Sequence, residues 1–451
     1  MSDPGSWSKG IRGAVDRFKS GEMRMGVAAL VSGTAIAQLI VVASSPLLTR
    51  LYSPAALGEF TVAFSLMLIL SSISTLSYDY AIPLPGDARS AANVLALSLT
   101  LIALIGIATA VVIHITGAAL LTWFGAGSLA SVPLLIVLGQ VGAAAVGALR
   151  QWAVRVKAFP QIAVNSLIQA LVLVGAQLAF GVAALGATGL LAAAAIGMTA
   201  GWARLARVAW RSDADAIRGV SVRGIVQAAV RYRRFAFLST PSVLLNSIGV
   251  RGPILVLTAI FGVTVGGQYA LAERVIALPA SLIAGAVGQV YTAEAAIAAR
   301  DDPERLRELF IRTTKTLAAT ALGPAILIAV ASPLLFGFIF GEEWTEAGWF
   351  VTALTPWYFA YAIANPTGST LDVLERQDLF LGRELLRIAL LSAGAVTIIL
   401  LSLPPIAAVA TIGLAGTVTY AAYAYISWHA IVVTPPAIGR SSGHTDPDAR
   451  A

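Results

Sequence analysis

Apolar runs of about twenty residues recur along almost the whole chain, broken by short stretches that carry proline, glycine or arginine. A helix rises about 1.5 Å per residue, so each run is long enough to cross a hydrocarbon core of about 30 Å. The pattern predicts twelve membrane helices, over residues 25–47, 57–79, 91–115, 129–150, 160–181, 184–204, 235–259, 266–291, 312–337, 347–371, 380–402 and 404–432. Composition agrees. Only 12% of the 451 residues are charged, against about a quarter in a soluble domain, and the mean hydropathy is +0.83.

The charges that remain are placed unevenly. Of 30 Lys and Arg, 27 fall in the two ends of the chain and in the loops near 80–90, 150–160, 204–234, 292–315 and 372–387. With both termini cytoplasmic these segments all lie inside, as basic residues in multi-pass proteins do. The exceptions are Arg50 in an outer turn and Arg251 and Arg274 within spans. The expected location is the cytoplasmic membrane, and the net charge of +7 is read by position rather than as a nucleic-acid footprint. Residues 1–24 are basic; Trp7, Ile11, Val15 and Phe18 share a helical face, which suits either a helix lying on the inner surface or a plain leader.

The basic linker 205–234 divides the chain into residues 25–204 and 235–432, each with six spans, followed by a tail at 433–451. LYSPAALGEFTVA at 51–63 aligns without a gap on IFGVTVGGQYALA at 260–272, pairing Gly58 with Gly267, Glu59 with Gln268 and Phe60 with Tyr269. An even number of spans per repeat implies parallel halves with a site between them. The expected fold is therefore all-α, about twelve transmembrane helices in two six-helix bundles around a central cavity.

Polar residues inside the spans point to that cavity. Thr34, Gln38, Ser45 and Thr49 share a face of the first span; Thr240, Ser247, Arg251 and Thr258 share one of the seventh. In the repeat register Gln38 falls on Ser247, Thr49 on Thr258, and Ser65 and Ser72 on Arg274 and Ser281. Such stripes either glue packed helices or line a wet space. Arg251 and Arg274, with Glu273 alongside, sit about 24 Å from the inner end of span 7 and about 12 Å from the outer end of span 8. An arginine facing lipid at such depth costs about 2.5–3.5 kcal/mol or more, so each should face a partner or a cavity. Arg251 and Glu273 could pair with each other. If Arg50 joined them the site would be net positive, and guanidinium forks suit phosphate oxygens.

The turn PLLTRLYSPAALGEF at 46–60 leaves two readings open: Arg50 and Glu59 anchor a tight turn, or they face inward. Asn165 and Gln169 either line the cavity or bond a neighbouring helix, and Tyr78-Asp79 is expected to be an interfacial anchor. Pro279, Pro324, Pro356 and Pro366 lie in or near spans, where proline kinks a helix.

Several classes are excluded. The chain has no cysteine, and its three histidines, His114, His429 and His444, are scattered, so no metal or other cofactor is expected. It has no nucleotide-binding loop and no long outer loop with paired carboxylates, which argues against an ATP-driven pump and against an enzyme.

SGTAIAQLIVVASSPLLTRLYSPAALGEF at 32–60, then YDYAIPLP, GQVYTAEAA, FGEEWTEAGWF and NPTGSTLDVLERQDL, resemble the bacterial oligosaccharide flippases. These form the polysaccharide-biosynthesis branch of the multidrug/oligosaccharidyl-lipid/polysaccharide (MOP) exporter superfamily. The resemblance implies movement of undecaprenyl-pyrophosphate-linked oligosaccharide from the inner to the outer leaflet by alternating access. A monomer is expected, among membrane lipids and alongside polymerase or assembly proteins for a surface polysaccharide. Arg251, Arg274 and Arg50 would then hold phosphate, Gln38, Ser247 and Ser281 would bond sugar hydroxyls or water, and Glu273 would tune the arginines. The alternatives are a multidrug/cation antiporter, which should have an acidic or aromatic cavity, and a membrane-embedded polymerase or ligase.

Overall fold

The computed structural model describes residues 21–301, 303–374 and 376–433. The segment around Trp7 to Phe18 and the tail beyond 433 lie outside these residues. Every regular element among them is helical.

The first half contains α1 (Gly21–Ala43), α2 (Pro54–Ile73), α3 (Ala88–Trp123), α4 (Leu134–Arg155), α5 (Phe159–Val182) and α6 (Gly186–Thr199). Two amphipathic helices, α7 (Trp202–Arg218) and α8 (Val222–Arg231), follow at the basic end of the molecule. The second half contains α9 (Thr240–Phe261), α10 (Val263–Asp301), α11 (Pro303–Phe340), α12 (Thr345–Thr367), α13 (Gln377–Leu400) and α14 (Pro405–Val433). Among the described residues, ten stretches are long and apolar enough to cross a membrane. The other two expected spans, 347–371 and 380–402, coincide with α12 and α13. These are also long enough, at 23 and 24 residues, but they carry the tyrosines and charges of the site described below. The chain is a multi-pass membrane protein of about twelve spans.

Each half packs in the same way. In the first, α1 lies on α5, α2 on α4, α3 on α4, α4 on α6 and α5 on α6; the second repeats this with α9 on α13, α10 on α12, α11 on α12, α12 on α14 and α13 on α14. The halves meet where α2 packs against α9 and α10, and α1 touches α10.

The turn at 52–54 is built as its residues dictate. Ser53 caps α2 by accepting the Ala56 N–H at 3.3 Å, and Pro54, which has no N–H to lose, occupies the first turn. The chain before it is broken at Ser44, after which a short helix, Ser45–Leu51, leads into the turn. In the repeat register Ser44 falls on Pro253, which lies inside α9.

At the end of the bundle opposite the basic loops, α2 and α10 cross almost backbone to backbone. A Cβ on Gly58 would stand 1.8 Å from the Val263 carbonyl oxygen, and one on Gly267 would stand 1.9 Å from the Pro54 carbonyl oxygen. Gly58 and Gly267 are counterparts in the repeat, and so are Pro54 and Val263. The crossing is therefore a pseudo-twofold contact, and only glycine permits it. Without a hydrophobic drive between helices in lipid, such close approach supplies much of the association. Two further bonds join the halves here: the buried Trp344 Nε1–H donates to the Thr49 carbonyl at 3.3 Å, and Arg50 Nη2 donates to the Phe338 carbonyl at 3.3 Å.

Candidate functional site

Two adjoining chambers lie between the halves, sharing Arg274, Ala277 and Ser281 of α10 as their common wall. The first, about 510 Å³, is bounded by Thr34, Ala37, Gln38, Val41 and Val42 of α1, by Ser166, Gln169, Ala170 and Leu173 of α5, and by Gly197 and Met198. It is mainly apolar. The second, about 410 Å³, is lined by Phe60, Thr61 and Phe64 of α2, Arg251 of α9, Glu273 and Arg274 of α10, Trp357, Tyr358 and Tyr361 of α12, Arg387 of α13 and Tyr420 of α14.

Helical facing thus brings most of the expected residues together. Arg251, Glu273, Arg274 and Ser281 line the second chamber, and Gln38 joins Arg274 and Ser281 in the first. Arg251 and Glu273 face the same space. They do not form an ion pair: among the described residues no such bridge within 4.0 Å involves either. Tyr358 Oη donates to Glu273 Oε1 at 3.3 Å instead. Neither Arg251 nor Arg274 has a hydrogen-bond or ion-pair partner among the described residues, although both are half-buried.

Two expected residues, Arg50 and Ser247, stand elsewhere. Arg50 is exposed at the crossing and spends its charge on the Phe338 carbonyl, so the turn directs it away from the chambers. Glu59 also faces away, accepting from the Ser128 hydroxyl of the α3–α4 connection. Its counterpart Gln268 does the equivalent job in the second half, donating to the Glu343 carbonyl at 2.5 Å and accepting from the Ala347 N–H at 3.0 Å. Ser247 is half-buried on α9 one turn before Arg251 but borders neither chamber. The polar stripes of spans 1 and 7 also end in packing rather than water, because Thr49 and Thr258 donate back to the carbonyls of Pro46 and Ile254.

Gln169 meets both of its readings, bordering the first chamber while donating to the Met198 carbonyl at 3.1 Å. Asn165 is buried away from it. Tyr78 is an anchor of a different kind: it is buried and its hydroxyl donates to the Ala229 carbonyl of α8 at 3.0 Å.

Arg387 is the charge that sequence reasoning placed wrongly, in a basic loop at 372–387. It is buried at 5% exposure, held by Glu384 at 2.5 Å and by the Asn246 carbonyl and Oδ1 at 2.9 and 3.0 Å. It lies over Gly249, where a Cβ would approach its Nε to 2.5 Å. The i, i+3 spacing of Glu384 and Arg387 at the start of an apolar run was the available signal, since such a pair stays on one helix face. The aromatic wall of α12 and α14 was missed as well.

Comparison with known proteins places this geometry. No curated protein sequence matches the chain. Among solved structures, an inward-facing multidrug resistance MATE family transporter of the MOP superfamily superposes with a TM-score of 0.62 at 16% identity, covering 89% of this chain and 93% of its own. The lipid II flippase MurJ in an inward closed conformation gives 0.62 at 12% identity over 92% and 91%. A MOP superfamily transporter from Pyrococcus furiosus, described as having a binding pocket of reversed polarity, gives 0.53 at 16% identity over 91% and 94%. These likenesses establish the fold. The sequence profile of the polysaccharide biosynthesis proteins matches residues 87–348, more than half of the chain. The chain belongs to the polysaccharide biosynthesis protein family and has the fold of the MOP superfamily.

Proposed function

We propose that this protein is a flippase that carries a polyprenyl-pyrophosphate-linked oligosaccharide from the inner to the outer leaflet of the cytoplasmic membrane by alternating access. One observation carries the reading: two guanidiniums with no hydrogen-bond or ion-pair partner among the described residues, Arg251 and Arg274, face a chamber walled by both halves. A pyrophosphate supplies the oxygens that two such forks can share, and charge-assisted bonds of this kind are about twice as strong as neutral ones. Arg274 stands at the wall between the chambers, where it can serve a headgroup that extends into either. Gln38 and Ser281 offer bonds to sugar hydroxyls, and the polyprenyl tail stays in the bilayer, passing between helices.

In this reading the basic end is cytoplasmic and the crossing of α2 and α10 is the outer closure. Opening outward parts Gly58 from Gly267 and releases the bonds of Arg50 and Trp344 to the opposite half. Arg50 is then a latch and not a phosphate ligand. The substrate feeds surface polysaccharide synthesis, in line with the family.

The aromatic wall favours a second reading, a multidrug/cation antiporter, because rings attract cations. The positive balance of the lining opposes it: Arg251 and Arg274 stand against Glu273, and Arg387 is already paired with Glu384. Reconstitution into liposomes separates the two. Protein with a lipid-pyrophosphate oligosaccharide in the inner leaflet should expose the sugar to an external glycan-modifying reagent and leave a cationic dye where it is. Dye expulsion without sugar exposure would overturn the flippase reading.

A further inference from the structure

The second chamber holds aromatic rings that phosphate binding does not use. Trp357 and Tyr358 are stacked with centroids 5.6 Å apart, Tyr361 meets Tyr420 edge to face at 5.2 Å, and Tyr358 to Tyr361 is 6.2 Å. The rings form a chain of contacts running from α12 to α14, with Tyr361 and Tyr420 nearly perpendicular at 84°. Their hydroxyls are employed differently. Tyr358 is tied to Glu273, whereas the hydroxyls of Tyr361 and Tyr420 have no partner among the described residues and belong to rings that line the chamber. A packed aromatic core would bury these hydroxyls against acceptors, because a buried Tyr O–H usually finds one.

The charges beside these rings decide what they can hold. Arg251 and Arg274 line the same chamber against Glu273, while Arg387 is already paired with Glu384 at 2.5 Å; the balance facing the space is positive and disfavours a free organic cation even though aromatic faces attract cations. What fits is a neutral ring with one apolar face and several hydroxyls, covalently attached to an anion. A pyranose linked to pyrophosphate has this form: its axial C–H bonds lie on an aromatic face while its hydroxyls meet the edges. We infer that Tyr361 and Tyr420 form a corner-shaped platform for the sugar that directly follows the pyrophosphate, one ring offering its face and the other its edge, with Arg274 holding the phosphate next to it. The platform rests on the flippase reading and adds to it a selection on the first sugar.

The test uses the full-length purified protein and soluble short-chain probes: a ten-carbon prenyl pyrophosphate alone, and the same compound carrying N-acetylglucosamine, glucose or galactose. Calorimetry gives the ratio of glycosylated to bare affinity. The wild type should favour at least one glycosylated probe by about tenfold, the scale of one aromatic contact. Tyr361→Leu/Tyr420→Leu should bring that ratio close to one while bare prenyl pyrophosphate binds as before, and Tyr361→Phe/Tyr420→Phe, which keeps the rings, should retain most of the preference. Unchanged binding of the bare probe shows that each variant is folded. A wild-type ratio of one for all three sugars, or a ratio that survives the leucine substitutions, overturns the platform and leaves the flippase reading standing. Binding of none of the probes by the wild type overturns both.

Discussion

The two halves share one frame and differ in what they hang on it. In the repeat register Phe64 of α2 falls on Glu273 of α10, and Thr61 falls on Ala270; all four line the second chamber. Val42, at the edge of the first chamber, is the counterpart of Arg251, and the buried Ser65 is the counterpart of Arg274. The first half thus presents apolar and small groups where the second presents charge. Buried polar groups follow the same division. In the first half Gln140 Nε2 donates to Ser74 Oγ at 3.0 Å and Thr109 Oγ1 at 3.3 Å, a neutral network. The second half has the Glu384–Arg387 ion pair. Backbone contacts that hold the halves together are symmetric, whereas the side chains that line the chambers are not. A duplicated scaffold can keep its hinge and specialise one wall.

The sharpest way to break this comparison is at the crossing. Gly58→Val and Gly267→Val should be equally damaging, each costing the monodisperse folded protein on size-exclusion chromatography, because a side chain placed within 2 Å of a carbonyl oxygen forces the helices apart. If only one of the two is damaging, the contact is not the symmetric element described. Next in size are the buried networks. Arg387→Met leaves Glu384 as a buried unpaired charge and should lower stability by about 3–5 kcal/mol, largely restored by adding Glu384→Leu. Gln140→Leu, its neutral analogue, should cost about 1–3 kcal/mol. Unfolding in detergent measures both, and a larger loss for Gln140 would reverse the ranking of the halves.

Arg50 provides a smaller and more selective effect. Arg50→Ala should leave affinity for a short prenyl pyrophosphate within about twofold of the wild type, because the exposed side chain has no access to the chambers. A tenfold loss would return it to the binding site. The smallest effect concerns the basic end. Asp87 caps α3 by accepting the Ser90 N–H at 2.7 Å, which holds its carboxyl below the ordinary aspartate value of 3.8. A lowered folded-state value stabilises above the unfolded one and is lost as the pH falls through it. Asp87→Asn should therefore lower the melting temperature slightly at pH 7, with the difference closing in strong acid. A difference independent of pH would assign the effect to something other than this charge.

Much of this could be read from residue patterns. Helical runs, the Ser53-Pro54 turn and the Gly58–Gly267 register all rest on local chemistry, and simple facing brought Arg251, Glu273, Arg274 and Ser281 to one place. Arg50 and Glu59 could not be oriented this way, since residues at a turn follow the path of the chain and not a helical period. Arg387 read as loop charge because it stands near the start of a span, where snorkelling is the common fate. The aromatic wall joins Tyr361 to Tyr420, 59 positions apart, and nothing in either local pattern shows that α12 and α14 are neighbours.

The most direct test of the account is the affinity of the purified protein for a short prenyl pyrophosphate, compared between Arg251→Ala/Arg274→Ala in the second half and Thr34→Ala/Gln38→Ala in the first. Two charge-assisted contacts predict a loss of about a hundredfold or more for the arginine pair and no more than about threefold for the polar pair. Equal losses, or full affinity in the arginine variant, would contradict the assignment of the anion to the second half.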